Sequence, residues 1–276
     1  MKLLNLGCGT VYHDDWVNID VATSGTGVLG HDILKGIPFP DSSFDAVYHS
    51  HLLEHLPQDH VPPFLRECFR VMKPGGLLRV VVPDLEGIVA SYQAALYEAL
   101  VGTNDGEQHY DWIMLEIYDQ AVRSSTGGMM IHCLNSTDVE LRDFIRQRIG
   151  LQAEEYWTAR EGAAGGTKFT GLFKCGISFY LKKIRSSLAK AAVTIIMGTE
   201  GREALELGMF RNSGEIHHWM YDRFSLRRAL QGTGFTDIRS CAGDESRIPG
   251  FSGYELDTVK GSIRKPDSLF MEGVKP

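Results

Sequence analysis

Four titratable side chains stand close together in His49-Ser50-His51-Leu52-Leu53-Glu54-His55, and their spacing admits defined chemistry. On a helix, His51, Glu54 and His55 are i, i+3 and i+4 and share one face. A histidine titrates near neutrality, so one held by a carboxylate can remove a hydroxyl proton as a general base. Two imidazoles and a carboxylate could equally hold a divalent cation, given one further ligand, for which His217 or His218 is the distant candidate. A third use is structural, with Glu54 and His55 bracing the helix and meeting no substrate. We take His51, Glu54 and His55 as the catalytic candidates and assign no metal ligand. Asp84, just past Val82-Pro83, is expected to line a site, and His217-His218-Trp219 either packs a lid or meets substrate.

A second constellation begins at the N-terminus, where the apolar run KLLNL ends in Gly7-Cys8-Gly9. Glycines at the carboxyl end of a strand let the backbone approach a nucleotide-like ligand closely. The dinucleotide form of this loop needs another glycine three residues after the second, and Tyr12 stands there. A pyrophosphate-bearing nicotinamide or flavin is therefore disfavoured, and with it the alternative of a nucleotide-dependent oxidoreductase. Asp20 closes the next apolar run, where a carboxylate can accept both hydroxyls of a ribose. Asp32, in His31-Asp32-Ile33, closes the one after that, where it can accept from an adenine amino group while Ile33 packs on the ring. Either aspartate alone reads as a turn or helix cap. At successive strand ends beside Gly7-x-Gly9, they point to a nucleoside ligand without phosphates.

These residues need a sheet to position them. The runs at 2–6, 17–20, 44–49 and 77–82 are short and continuously apolar, as buried parallel strands are. Between the last two, His51 to Met72 carries helical spacing, read as one helix or as two split at Pro62-Pro63. The first crossover, from Gly7 to Trp16, is too short for a full helix, so one face of the sheet is expected to be thinly covered there. From Leu85 to about Glu215 helical stretches dominate, at Ile88–Val101, Tyr110–Arg123 and Asp138–Ile149. After them the α/β pattern resumes with a short helix opened by Asp222 and strands near Phe235–Cys241 and Leu269–Val274. Residues 85–215 are thus expected to interrupt one domain made of 1–84 and 216–276.

Together, LLNLGCG, VNID, HDI, PFPDSSFDAVYHSHLLEHL and ECFRVMKPGGLLRVVVPD resemble the class I S-adenosylmethionine-dependent methyltransferases, and within them the methyltransferase-type-11-like bacterial proteins. Residues 216–276 resemble them as well, through HHWMYDRFSLRRALQGTGF and SLFMEGVKP. The resemblance implies an α/β fold with a Rossmann-like doubly wound sheet of seven strands, the last antiparallel, and here a large mostly helical insertion after the fifth. It implies S-adenosyl-L-methionine as cofactor, its methionine end beside Gly7, Cys8 and Gly9, its ribose on Asp20, and its adenine near Asp32 and Ile33. His49 and Ser50 would line the sulfonium end. Asn5 stands where these enzymes often carry an acid.

The implied function is methyl transfer, with the histidine cluster favouring an oxygen nucleophile on a small-molecule acceptor such as a sugar or a lipid-linked compound. A non-catalytic, cofactor-binding partner subunit with the same fold is the alternative. With 28 Lys and Arg against 35 Asp and Glu in 276 residues, the chain has no global basic excess to hold a nucleic acid. Its composition excludes disorder, collagen and coiled coil. Five dispersed cysteines without a CxxC pair, and the lack of a signal-like or membrane-length apolar run, predict a reducing, cytoplasmic setting. Charge is uneven, because Gly162–Thr199 carries six Lys and Arg and no acidic residue among many apolar ones. Peripheral membrane contact or self-association through 166–198 is the expectation there, beside the plainer one of a solvated lid helix.

Overall fold

Strands that are covered on both faces must bury nearly every side chain, and the apolar runs do so. In the computed structural model, which describes residues 1–22, 27–136, 138–164 and 177–276, β1 (Leu3–Leu6) is buried throughout, and β4 (Phe44–Ser50) and the second half of β5 (Met72–Pro83) nearly so. With β2 (Trp16–Asp20), β3 (Val28–Gly30), β6 (Thr236–Cys241) and β7 (Ser268–Val274) they form a seven-stranded sheet in the order β3-β2-β1-β4-β5-β7-β6. β1 runs parallel to both β2 and β4, pairing Leu6 with Ile19 and with His49. β7 is antiparallel to both β5 and β6, with Met271 opposite Val80 and Ser240. Strand order reverses between β1 and β4, so the connections diverge there and leave a crevice at the carboxyl ends.

The helix after β4 differs from its expected form. A short 3-10 turn, Leu53–His55, comes first, and α1 (Val61–Val71) starts with Pro62 and Pro63 in its opening turn. Proline fits there because the first amides of a helix have no intrahelical acceptor. The prolines therefore begin α1 and do not split a longer helix. Its buried face, Phe64, Leu65, Cys68 and Val71, packs into the main core with Leu4, Ile19, Val47 and Val80.

Among the described residues, no helix covers the opposite face beside β1. The β1–β2 crossover is a pair of turns closed by Val11 N–H to Cys8 O and Trp16 N–H to His13 O. A strap from the far end of the chain supplies the cover: Ile248, Phe251 and Leu256 pack on Leu3, Trp16, Ala46, Tyr48, Val81 and Phe270. Beneath the strap the fully buried Arg79 donates to Asp257 (2.7 Å) and Glu272 (3.0 Å) and lies 4.7 Å from the Phe251 ring.

Between β5 and α8 (Arg223–Gly232) lie α2 (Leu85–Val101), α3 (Gly106–Val122), α4 (Met130–Leu134), α5 (Val139–Ile149), α6 (Leu151–Ala164) and α7 (Ile177–Arg211), the last bent at Gly198. Of these, α2 to α6 own a separate core around Trp112, Ile113, Ile145, Ala153 and Trp157. Of the basic stretch, residues 165–176 lie outside the described residues. Its described part leaves Ile184, Leu188, Ile195 and Ile196 exposed. Among the described residues no helix is long and apolar enough to cross a membrane.

Gly7 closes β1 with a φ of 63°, and a Cβ built on it would lie 2.8 Å from Leu52 Cδ1. Left-handed backbone disfavours a side chain, and Leu52 would have to give way. Gly7→Ala is accordingly expected to cost about 1–2 kcal/mol of stability. Urea unfolding measures it, and an unchanged midpoint would refute the strain.

Candidate active site

The crevice at the β1/β4 divergence holds a cavity of about 290 Å³. Its floor is the backbone of Gly7, Cys8 and Gly9, and one wall is the exit of β4, with Tyr48, Ser50 and His51. The other walls come from further along the chain: Gln152 and Glu155 on α6, and Asp257, Arg264 and Lys265 on the strap and its continuation. Gly9 has a φ of 53°, and a Cβ there would meet nothing within 4 Å. The loop therefore presents bare backbone to the space above it.

On the loop side, Asp20 accepts from Gly9 N–H (2.8 Å) and from Ala22 N–H (2.9 Å), which locks the glycine turn to the end of β2. Asn5 is buried and reaches the same turn from below, donating to Val11 O and Asn18 Oδ1, both at 3.2 Å. A neutral amide thus organises the crossover where an acid was the family expectation. Cys8 is held as a thiol, its pKa raised to about 11 by burial and by the charge of Asp20. Asp32 and Ile33 lie beyond the cavity lining. Asp32 caps the turn Ile33–Lys35 through Leu34 N–H (3.1 Å) and faces Lys35 at 3.3 Å, so capping is the use the structure displays.

His49 does not line the cavity. Side chains alternate along a strand, so Tyr48 and Ser50 face the cavity while His49 turns to the other layer. There it is fully buried, edge-on to Phe64 at 5.3 Å between ring centres, and among the described residues neither ring nitrogen has a hydrogen-bond partner. Burial pushes its pKa down to about 3. Asp84 is likewise an N-cap, accepting from Glu86 N–H at the start of α2.

His51, Glu54 and His55 do come together, though by a different route from an α-helix. His51 has a φ of 49°, which turns the chain sharply into the Leu53–His55 turn. His51 Nδ1 lies 3.2 Å from Glu54 Oε1, and His55 Nε2 lies 4.0 Å from the same atom. The other side of the His51 ring is fixed by Ser268, with Nε2 2.8 Å from its hydroxyl oxygen. Burial drives His51 well below the ordinary histidine range, with the nearby charges of Lys265 and His55 adding to the effect. Glu54 is fully buried and its pKa is raised by that burial. His217 packs its ring against His55, 4.7 Å between centres, while the Glu54 carbonyl accepts from His218 N–H at 2.7 Å.

Tyr48, Glu155, Asp257, Arg264, Lys265 and Ser268 carried no motif that marked them in the sequence. Only the alternation along β4 could have placed Tyr48. The rest come from α6, from the strap and its continuation and from the start of β7, whose docking at the site no local pattern dictates.

Residues 15–80 match the methyltransferase domain family. Over that segment the chain is similar to S-adenosylmethionine-dependent methyltransferases. A probable S-adenosylmethionine-dependent methyltransferase of Mycolicibacterium smegmatis is 32% identical over 100 residues, which is 30% of this chain and 38% of that protein. A probable methyltransferase of Aspergillus luteorubrus is 44% identical over 48 residues, 17% of each chain. The chain thus spans well under two thirds of either relative's length. Among solved structures, a SAM-dependent methyltransferase from Archaeoglobus fulgidus aligns over 99% of this chain and 86% of its own, at 12% identity and a TM-score of 0.38. The putative methyltransferase complexed with the Haloferax volcanii Trm112 activator aligns over 100% and 82%, at 13% identity and a TM-score of 0.37. S-adenosylmethionine is the cofactor of this domain class, and the bare Gly7–Gly9 floor anchored by Asp20 suits a ligand without phosphates.

Proposed function

We propose that the protein transfers a methyl group from S-adenosylmethionine to an oxygen of a small-molecule or sugar-type acceptor, which enters beneath the helices of 85–215. The observation that carries this reading is the position of His51: it lines the cavity opposite the glycine floor, and two neighbours orient it. The cofactor would supply an electrophilic methyl at a sulfonium, and in-line displacement draws most of its rate from alignment. Gly7, Cys8 and Gly9 would seat its amino-acid end, with Asp20 toward the ribose. The cavity's mixed charges, Glu155 and Asp257 against Arg264 and Lys265, suit a zwitterionic ligand.

His51 would then take the acceptor's hydroxyl proton. Its Nδ1 lies 3.2 Å from Glu54 Oε1, and its Nε2 already stands at hydrogen-bonding distance from a hydroxyl, that of Ser268. Because its pKa is depressed, the imidazole is neutral at pH 7 and able to accept. The acid limb of the rate profile therefore falls below pH ~6.5, the ordinary histidine value.

The test has two stages. Calorimetry should show S-adenosylhomocysteine binding, whereas tight NAD(H) binding without it would restore an oxidoreductase. Methyl label from S-adenosylmethionine should then pass to a small-molecule pool, and His51→Ala should slow that transfer by about a hundredfold or more while leaving cofactor affinity within a few-fold. Ordinary turnover by the double variant His51→Ala/His55→Ala would sink the base. Stoichiometric cofactor binding with no transfer to any acceptor would indicate a partner subunit.

A further inference from the structure

We propose that Glu54, His55 and His217 form a binding site for a divalent first-row transition-metal ion. One potential ligand atom from each lies within 4.8 Å of the others, and the three residues come from two segments 162 positions apart. Two neutral nitrogens and one carboxylate are a donor set that zinc-class ions accept.

Two independent features favour the ion over a purely packed cluster. Among the described residues, both carboxylate oxygens of Glu54 are buried without a hydrogen-bond partner, and the salt-bridge-range neighbours of that carboxylate are His51 and His55. A buried carboxylate left in that state is costly, and a dication facing it removes the cost. His55 Nδ1 stands 3.0 Å from the carbonyl of Ile216, which can only accept, so Nδ1 carries the proton and Nε2 presents its lone pair toward Glu54. A metal-bound imidazole is held in the same way, by its other nitrogen on a carbonyl.

Ligands on a zinc-class ion at about 2.0–2.1 Å stand closer together than 4.8 Å, so the side chains would draw in by roughly an ångström on loading. Within the closed site, the ion would tie the return from α7, at His217, to the turn that carries His51. His51 Nδ1, 3.2 Å from Glu54 Oε1, would then sit in the outer shell and not on the metal. The inference stands apart from methyl transfer, because metal binding is read without cofactor or acceptor.

The experiment titrates chelator-treated full-length protein with Co²⁺ and follows its visible d–d absorption, then displaces it with Zn²⁺. One equivalent should bind with low-coordinate intensity, Zn²⁺ should abolish the bands, and excess Mg²⁺ should not. Glu54→Gln and His217→Ala should each weaken binding by more than about a hundredfold, since outer-shell losses alone cost ten- to a hundredfold. His60→Ala, which changes an exposed histidine outside the cluster, should leave it intact. Circular dichroism of each variant reports whether it folds. Wild-type protein that binds no Co²⁺ at micromolar free metal overturns the site irrespective of the variants, as does folded His217→Ala that binds normally.

Discussion

Arg79→Met is expected to destabilise the protein by about 3–5 kcal/mol, the cost of leaving buried charges uncompensated. Arg79 is fully buried, and its guanidinium serves Asp257 on the strap and Glu272 on β7 together, with further donation to the carbonyl of Glu245 at 2.8 Å. Glu272 retains Arg247 (3.1 Å) and Ser246 (2.6 Å) when Arg79 is lost. Among the described residues, Asp257 keeps the Tyr48 hydroxyl (2.5 Å) as its one side-chain partner. Most of the penalty therefore falls on Asp257, and Asp257→Leu in the Arg79→Met background should recover part of it. Lysine is a poor replacement, because a point charge cannot span two carboxylates as the planar fork does. Denaturant unfolding of the four proteins in this cycle measures the coupling. A loss below about 1 kcal/mol for Arg79→Met would mean that water reaches the network and screens it. Since Asp257 lines the cavity, ligand affinity should fall in parallel.

Asp20→Ala is expected to lower affinity for S-adenosylhomocysteine by about a hundredfold, given the proposed cofactor site. Two effects add. The variant loses a carboxylate bond to the nucleoside, with charged hydrogen bonds contributing about 1.5–3 kcal/mol. It also frees the glycine floor, because Asp20 is what Gly9 N–H and Ala22 N–H donate to. A total near 3 kcal/mol corresponds to roughly two decades in Kd. Asp20→Asn can still accept from one of these amides and should fall between. Calorimetric titration decides the matter: an affinity within threefold of wild type would move the nucleoside off the end of β2.

The site was legible from the sequence in unequal measure. Gly7, Gly9 and Asp20 could be placed because strand-loop chemistry is local: a left-handed turn needs glycine, and a carboxylate at the next strand end faces that turn. The pairing of His51 with Glu54 was also anticipated, but its geometry was not. Helical spacing implied a shared α-helical face, whereas a left-handed His51 and a 3-10 turn bring the same atoms together. His49 shows the opposite case. As the residue next to the cavity-lining Ser50 it read as site-lining, and the two-residue period of β4 sends it to the other face.

By itself, the sequence determined the strands, their parallel run, the interruption by helices after β5 and the glycine floor, because each rests on periodicity or on backbone preferences within a few residues. It also showed that the short β1–β2 crossover left a face uncovered. Only the tertiary structure decided what covers that face. Ile248, Phe251 and Leu256 do so, some two hundred residues away from Leu3 and Ala46 in sequence. The same folding step brings Asp257, Arg264 and Lys265 to the cavity and His217 to Glu54 and His55. Such contacts depend on chain topology and long-range burial, which no local pattern encodes.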